Sequence, residues 1–240
     1  MPNIGAEMMK PAEPMAVLDP SVGLSSEETA DLTRQLKEKF TQLEALAQTA
    51  SPLERARLQL DVAELLIWLE RKPEAWLLAR EAFGAALAAS AWQDAVEACN
   101  VLYQTGQEDA IPALGMGVWL AVTFPVEPDL TYAMLDHVID ETPNNSDGAA
   151  LAAITARYVI DLRADEASHE SLSLLANNLV ARVALRHSNV QDQTGMDIWL
   201  NELDLRNPQA FLPRLSKVVN AIVGDQWWFD RDAIRDQLPD

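Results

Sequence analysis

Apolar side chains return along this chain at intervals of three and four residues, as in Leu32, Leu36, Phe40, Leu43 and Leu46, or Leu58, Val62, Leu65, Leu66 and Leu69. That spacing gathers them on one face of an α-helix, and no stretch shows the sustained alternation and β-branched enrichment of a strand. The expected fold class is all-α. Start signals then divide the pattern. Ser25 with Glu28, Ser51 with Glu54 and Ser90 with Gln93 have the capping-box spacing, while Pro52 and Pro208 follow Ser51 and Asn207 at first-turn positions. These signals predict helices near 26–48, 52–70, 73–89, 91–104, 108–123, 129–141, 147–163, 167–187, 194–204, 208–223 and 226–236. Short connections favour antiparallel hairpins, so the expected architecture is a right-handed stack of helix pairs, an α-solenoid of about 10–11 helices.

The 240 residues, 49% apolar and 23% charged, suit a folded globular chain with a substantial core. Residues 1–24 hold Met8, Met9 and Met15 interrupted by Pro11, Pro14 and Pro20, and read as a mobile N-terminal arm without a signal sequence. Residues 25–240 form one all-α domain in this reading. The turn-rich run at 143–148 offers a point of subdivision, although a continuous stack is preferred. A single cysteine, Cys99, makes no intrachain disulfide and agrees with a reducing, cytoplasmic setting. The longest uncharged run, Ala110 to Val126, falls short of the ~20 residues that a bilayer demands, so a buried central helix is expected and no membrane span.

Small residues recur in register. Ala63, Leu66, Ala75, Ala79 and Ala82 are followed 35 positions later by Ala98, Val101, Ala110, Leu114 and Gly117. Small residues at facing positions let helices approach closely, and stacked pairs bury faces that one pair leaves wet. Over residues 53–123 the chain resembles the tetratricopeptide-repeat family, whose helix pairs repeat about every 34 residues. Ala63 and Ala98 match the small position of its first helix; Glu74-Ala75 and Asp109-Ala110 match the start of its second. Gln59 and Asp94 stand where that family prefers an aromatic, Glu97 replaces a leucine, and the terminal proline is missing. The resemblance implies a superhelical protein-binding scaffold.

Net charge is −19, and between Arg80 and Arg157 there is no lysine or arginine among eleven carboxylates. Such a field repels phosphate, which excludes ordinary nucleic-acid binding and leaves two readings: a general adaptation for solubility, or a face for a basic partner. The favoured function is a non-enzymatic adaptor or assembly chaperone that holds a basic or amphipathic segment of another protein. Its candidate contacts are Glu81, Asp94, Glu97, Glu108 and Asp109 for charge, with Trp92 and Tyr103 as apolar anchors. An acidic mimic of nucleic acid is an alternative.

An enzyme or metal protein in a helical bundle is the rival class. Glu166-x-x-His169 has the spacing of bundle metal sites but lacks a second copy, and a solvated helix start explains it as well. Asp136, His137, Asp140 and Glu141 offer acid/base groups, with no nucleophile, oxyanion motif or phosphate loop to serve. No metal or cofactor is expected. Seven tryptophans occur, of which most belong in cores. Trp227-Trp228-Phe229 differs, because three consecutive aromatics on a short helix do not share one face. Trp227 and Trp228 are expected either to cap the stack or to reach a partner, including a homodimer mate.

Overall fold

A computed structural model describes residues 24–46 and 50–236. Most of the expected N-terminal arm, residues 1–23, lies outside the described residues. The elements are α1 (Ser26–Ala45), α2 (Pro52–Trp68), α3 (Lys72–Ala88), α4 (Trp92–Gln104), α5 (Ala110–Thr123), α6 (Pro128–Asp140), α7 (Asp147–Arg163), α8 (His169–Ser188), α9 (Gln193–Glu202), α10 (Pro208–Val223) and α11 (Arg231–Arg235). Among the described residues there is no strand, and no helix is long and apolar enough to cross a membrane.

Local chemistry explains the boundaries. Ser25 and Ser51 form complete capping boxes, each hydroxyl accepting from the amide of Glu28 or Glu54 while that glutamate accepts from the serine amide. The expected box at Ser90 does not form. Ser90 takes a left-handed conformation (φ 52°) as the residue that ends α3, which removes it from the extended geometry an N-cap requires, and Ala91 precedes α4 instead. The same turn ends α2 at Glu70 (φ 56°), where Arg71 N–H reaches Leu66 O at 2.8 Å; its counterpart is Ala91 N–H to Ala86 O at 2.9 Å. The α2–α3 and α3–α4 connections thus use the same turn.

Each of α1 to α8 packs against the next, and α2, α4, α6 and α8 also touch one another in order. This is an all-α helical stack with an even-numbered layer in direct contact. The odd-numbered layer is finished differently: α10 turns back and lies against both α5 and α7. Its inward side chains Phe211, Leu215, Val219 and Val223 are buried, each contributing about 1.5–3 kcal/mol.

The ten residues paired at the 35-residue interval all lie in the interior. Gly117 shows why one of them is glycine. A Cβ there would stand 2.6 Å from Cys99 Cβ on α4 and 2.4 Å from Met134 Cε on α6. Gly115, on another side of α5, faces α10, where an added Cβ would meet Val223 at 2.5 Å. The uncharged run is therefore a central helix covered by α4, α6 and α10.

The C-terminal helix differs from expectation. Gly224 (φ 58°) ends α10, and Asp230 accepts from the amides of Asp232 and Ala233 to start α11, so residues 226–230 are not helical. Released from a helix, the three aromatics fan out over α3 and α5. Trp228 packs edge-on to Trp76 and Phe83 and lies under the Arg80 guanidinium, 4.0 Å from its ring centre. Trp227 and Phe229 meet Trp119. These rings close the chain's own stack. The first helix also ends earlier than expected, at Ala45, with residues 47–49 outside the described residues.

The two kinds of glycine separate cleanly by substitution. Gly117→Ala is expected to cost about 1–3 kcal/mol by forcing α4 or α6 away from α5. Gly84→Ala, with nothing within 4 Å of the new methyl, is expected to gain about 0.5–1 kcal/mol through helix propensity. Urea denaturation of both variants measures the contrast.

Candidate functional site

On its outer side α4 carries Gln93, Glu97 and Asn100, spaced i, i+4 and i+7, opposite the buried Ala95, Val96, Ala98, Cys99 and Leu102. Glu64 of α2 stands on one flank of this stripe. The start of α6 stands on the other with Glu127, Asp129, Leu130 and Ala133. These residues line a depression of about 360 Å³ in the even-numbered layer, with four carboxylates from three places in the fold and no cation among the described residues of the lining. Its volume is at the low end of the range for ligand sites, but the lining is acidic rather than apolar. It suits one or two basic side chains better than an apolar small molecule.

Hydrogen bonds hold the groove in shape. Gln93 donates through Nε2 to Glu97 at 3.0 Å and accepts the Glu127 amide at Oε1, also at 3.0 Å, tying α4 to the start of α6. Asn100 Oδ1 lies 3.1 Å from His137 Nε2, the His137 ring rests against Tyr103, and Tyr103 donates to Glu141 at 2.7 Å. The nearby cations are taken. Arg57 grips Asp94 through two bonds of 2.8 and 3.0 Å, and Lys39 binds Asp61 at 2.6 Å.

Glu64 and Glu97 bind protons more tightly than usual. Partial desolvation in the groove pushes Glu64 from 4.5 up to about 7, helped by the charges of Glu97 and Asp61 and opposed by Lys39. Water still reaches Glu64, so the cause is crowding by surrounding protein rather than full enclosure. Glu97 moves upward for the same first reason, against the stabilising bond from Gln93. Burial holds His137 in its neutral form, and burial together with Glu141 keeps the Tyr103 hydroxyl protonated. Cys99, fully buried, keeps its thiol proton as well.

The sequence-selected residues are thus dispersed. Glu97 alone of them lines the groove. Asp94 is buried and committed to Arg57 as a strut between α2 and α4, because a carboxylate at a position facing another helix is costly without a partner. Trp92 stacks on Phe124 with ring centres 3.9 Å apart, and Tyr103 closes the far end through Glu141. Glu81 is exposed on α3, Glu108 is exposed on the turn before α5, and Asp109 occupies the N-cap position of α5. Trp227 and Trp228 are half-buried on the odd-numbered side. Sequence reasoning missed Glu64, Gln93 as a bridge, Glu127 and Asp129. The polar stripe at 93, 97 and 100 in an otherwise apolar helix was the available signal.

The groups considered for catalysis or metal binding do not converge. Asp136 pairs with Arg182, and His137 turns to Asn100. Glu166 lies in the turn before α8, so it does not share a helical face with His169. His169 lies 3.8 Å from Asp161. Among the described residues no three His, Cys, Asp or Glu side chains come together as metal ligands. No protein family, curated protein or solved structure matches the chain.

Glu64 sets a stability signature. Its folded pKa lies above its unfolded value of 4.5, so its contribution is fully present below pH 4.5 and is lost as pH rises through about 7. Glu64→Gln is expected to match the parent chain in melting temperature near pH 4.5 and to exceed it at pH 8. Calorimetry across that window checks this, and a pH-independent difference would remove Glu64 as the titrating group.

Proposed function

We propose that this chain is a non-enzymatic protein-binding adaptor or assembly chaperone, with residues 53–123 built in the manner of tetratricopeptide repeats. The groove between α2, α4 and the start of α6 holds a basic or amphipathic segment of another protein, in a cytoplasmic setting. The observation that carries this reading is a concave site lined by Glu64, Glu97, Glu127 and Asp129, with no cation among the described residues of its lining. Lysine or arginine side chains entering it supply the missing charge, and Leu130 and Ala133 accept the apolar side of such a segment. The same carboxylates repel nucleic-acid phosphate.

The 35-residue interval between the two hairpins supports the repeat-like reading, as does the direct contact among even-numbered helices. Neither depends on the groove.

A general acidic surface attracts any polycation, so the test compares equal charge removal at two places. The probe is a synthetic amphipathic helix with lysines on one face and leucines on the other. E64Q/E97Q/E127Q is expected to weaken its binding by about tenfold, or ~1.4 kcal/mol, at moderate salt. E81Q/E108Q/E202Q removes the same number of exposed carboxylates elsewhere and is expected to cost less than about twofold, in line with distant, screened charges. Equal losses from the two sets, read by calorimetric titration, would reduce the groove to general acidity.

A further inference from the structure

Helix α8 carries exposed leucines opposite its core face. One face enters the core through Ala176, Leu179, Val180, Val183 and Ala184. Diametrically opposite, Leu174, Asn178, Ala181 and Leu185 form a second stripe, with Leu174 and Leu185 exposed by 62% and 51%. Leu175 beside it is 48% exposed. A helix that is apolar on more than one side is normally covered on each of them. Here α7 and α6 account for the inward side, and α9 touches α8 only lightly. The chain turns away through α10 to α5 and α7, so among the described residues no further hairpin stacks on α8.

We propose that this outer stripe is a self-association surface on which two copies of the chain pack α8 against α8 about a two-fold axis. Three features select a second copy as the occupant. The stripe reads the same in both directions: the spacing from 174 to 178, 181 and 185 is four, three, four, so an antiparallel two-fold pairing sets Leu174 against Leu185 and Asn178 against Ala181 of the mate. Small Asn178 and Ala181 lie at its centre, where the helices approach most closely, and each terminal leucine meets the other leucine of the mate. Charge points the same way. From Ser171 to Gln191 the chain has no carboxylate, although its net charge is −19, and Arg182 is already neutralised by Asp136 of the same chain. The stripe offers a charged partner nothing to recognise, while two acidic copies meet there without carboxylates face to face.

A contact centred on one helix is a small interface, and the association is expected to be weak, with a dissociation constant on the order of micromolar. The surface is independent of the acidic groove, and its salt response has the opposite sign. Peptide held by carboxylates is released as salt rises, whereas two copies of charge −19 associate better once their repulsion is screened.

Sedimentation of the full chain from about 1 to 200 µM, spanning that micromolar range, is expected to show a monomer–dimer equilibrium that shifts toward dimer between low and high salt. L174E/L185E is expected to remain monomeric with an unchanged helical spectrum, since both side chains lie outside the core. Chains carrying Leu174→Cys mixed with chains carrying Leu185→Cys are expected to form the mixed disulfide faster than either symmetric one, because position 174 faces position 185 of the mate; the native Cys99 is buried and stays silent. A parent chain that is monomeric throughout the range, or a double-glutamate variant that still dimerises, would overturn the proposal.

Discussion

The rest of the structure depends on burying α5. Eleven of its residues, from Ala110 to Ala121, are withdrawn from water, and the helix carries no charge on any side. Such a helix is stable in water only when neighbours cover it all round. Helices α4 and α6 cover it from the even-numbered layer, close enough at Gly117 to leave no room for a methyl group, and α10 covers it at Gly115. The return of the C-terminal chain is thus a requirement of the central helix rather than an appendage to a stack.

The same constraint distributes the charges. With α5 filling the interior and carrying no charge, the carboxylates of the lysine- and arginine-free stretch fall on α3 at Glu81, on α4 and α6, at the start of α7 and in the connecting turns. Some of them meet in the groove. The cations that this region lacks arrive from later helices. Arg163 of α7 donates to the carbonyls of Ala121 (2.7 Å) and Val122 (3.0 Å), and Arg186 of α8 donates to Ile139 O at 3.1 Å. Helix C-termini leave unpaired carbonyls with partial negative charge, and an arginine two helices along satisfies them without placing a cation in the groove. The acidic site and the ends of α5 and α6 are in this sense a single electrostatic arrangement.

Much of this architecture was legible in the residues. The capping boxes at Ser25 and Ser51, the proline starts at Pro52 and Pro208, and the three-to-four spacing of leucines locate helices, because each is a local interaction between residues within one or two turns. Ser90 misled for an instructive reason. Its spacing to Gln93 is that of a cap, yet the turn needed a left-handed residue at that point, and Gln93 was drawn to the amide of Glu127. The aromatic triplet misled similarly, since Asp230 starts the last helix beyond it.

The sequence by itself determined helix content, the order of hairpins, the burial of the uncharged run and the excess of carboxylates, all of which follow from neighbours along the chain. Only the tertiary structure decided which carboxylates share a site. Asp94 and Glu97 are three residues apart on α4, and one became a strut to Arg57 while the other joined Glu64 and Glu127 in a groove. Periodicity places a residue on a helical face, but the partner across that face comes from a helix 30 or more residues away. The energy of a carboxylate depends on that partner far more than on its own turn.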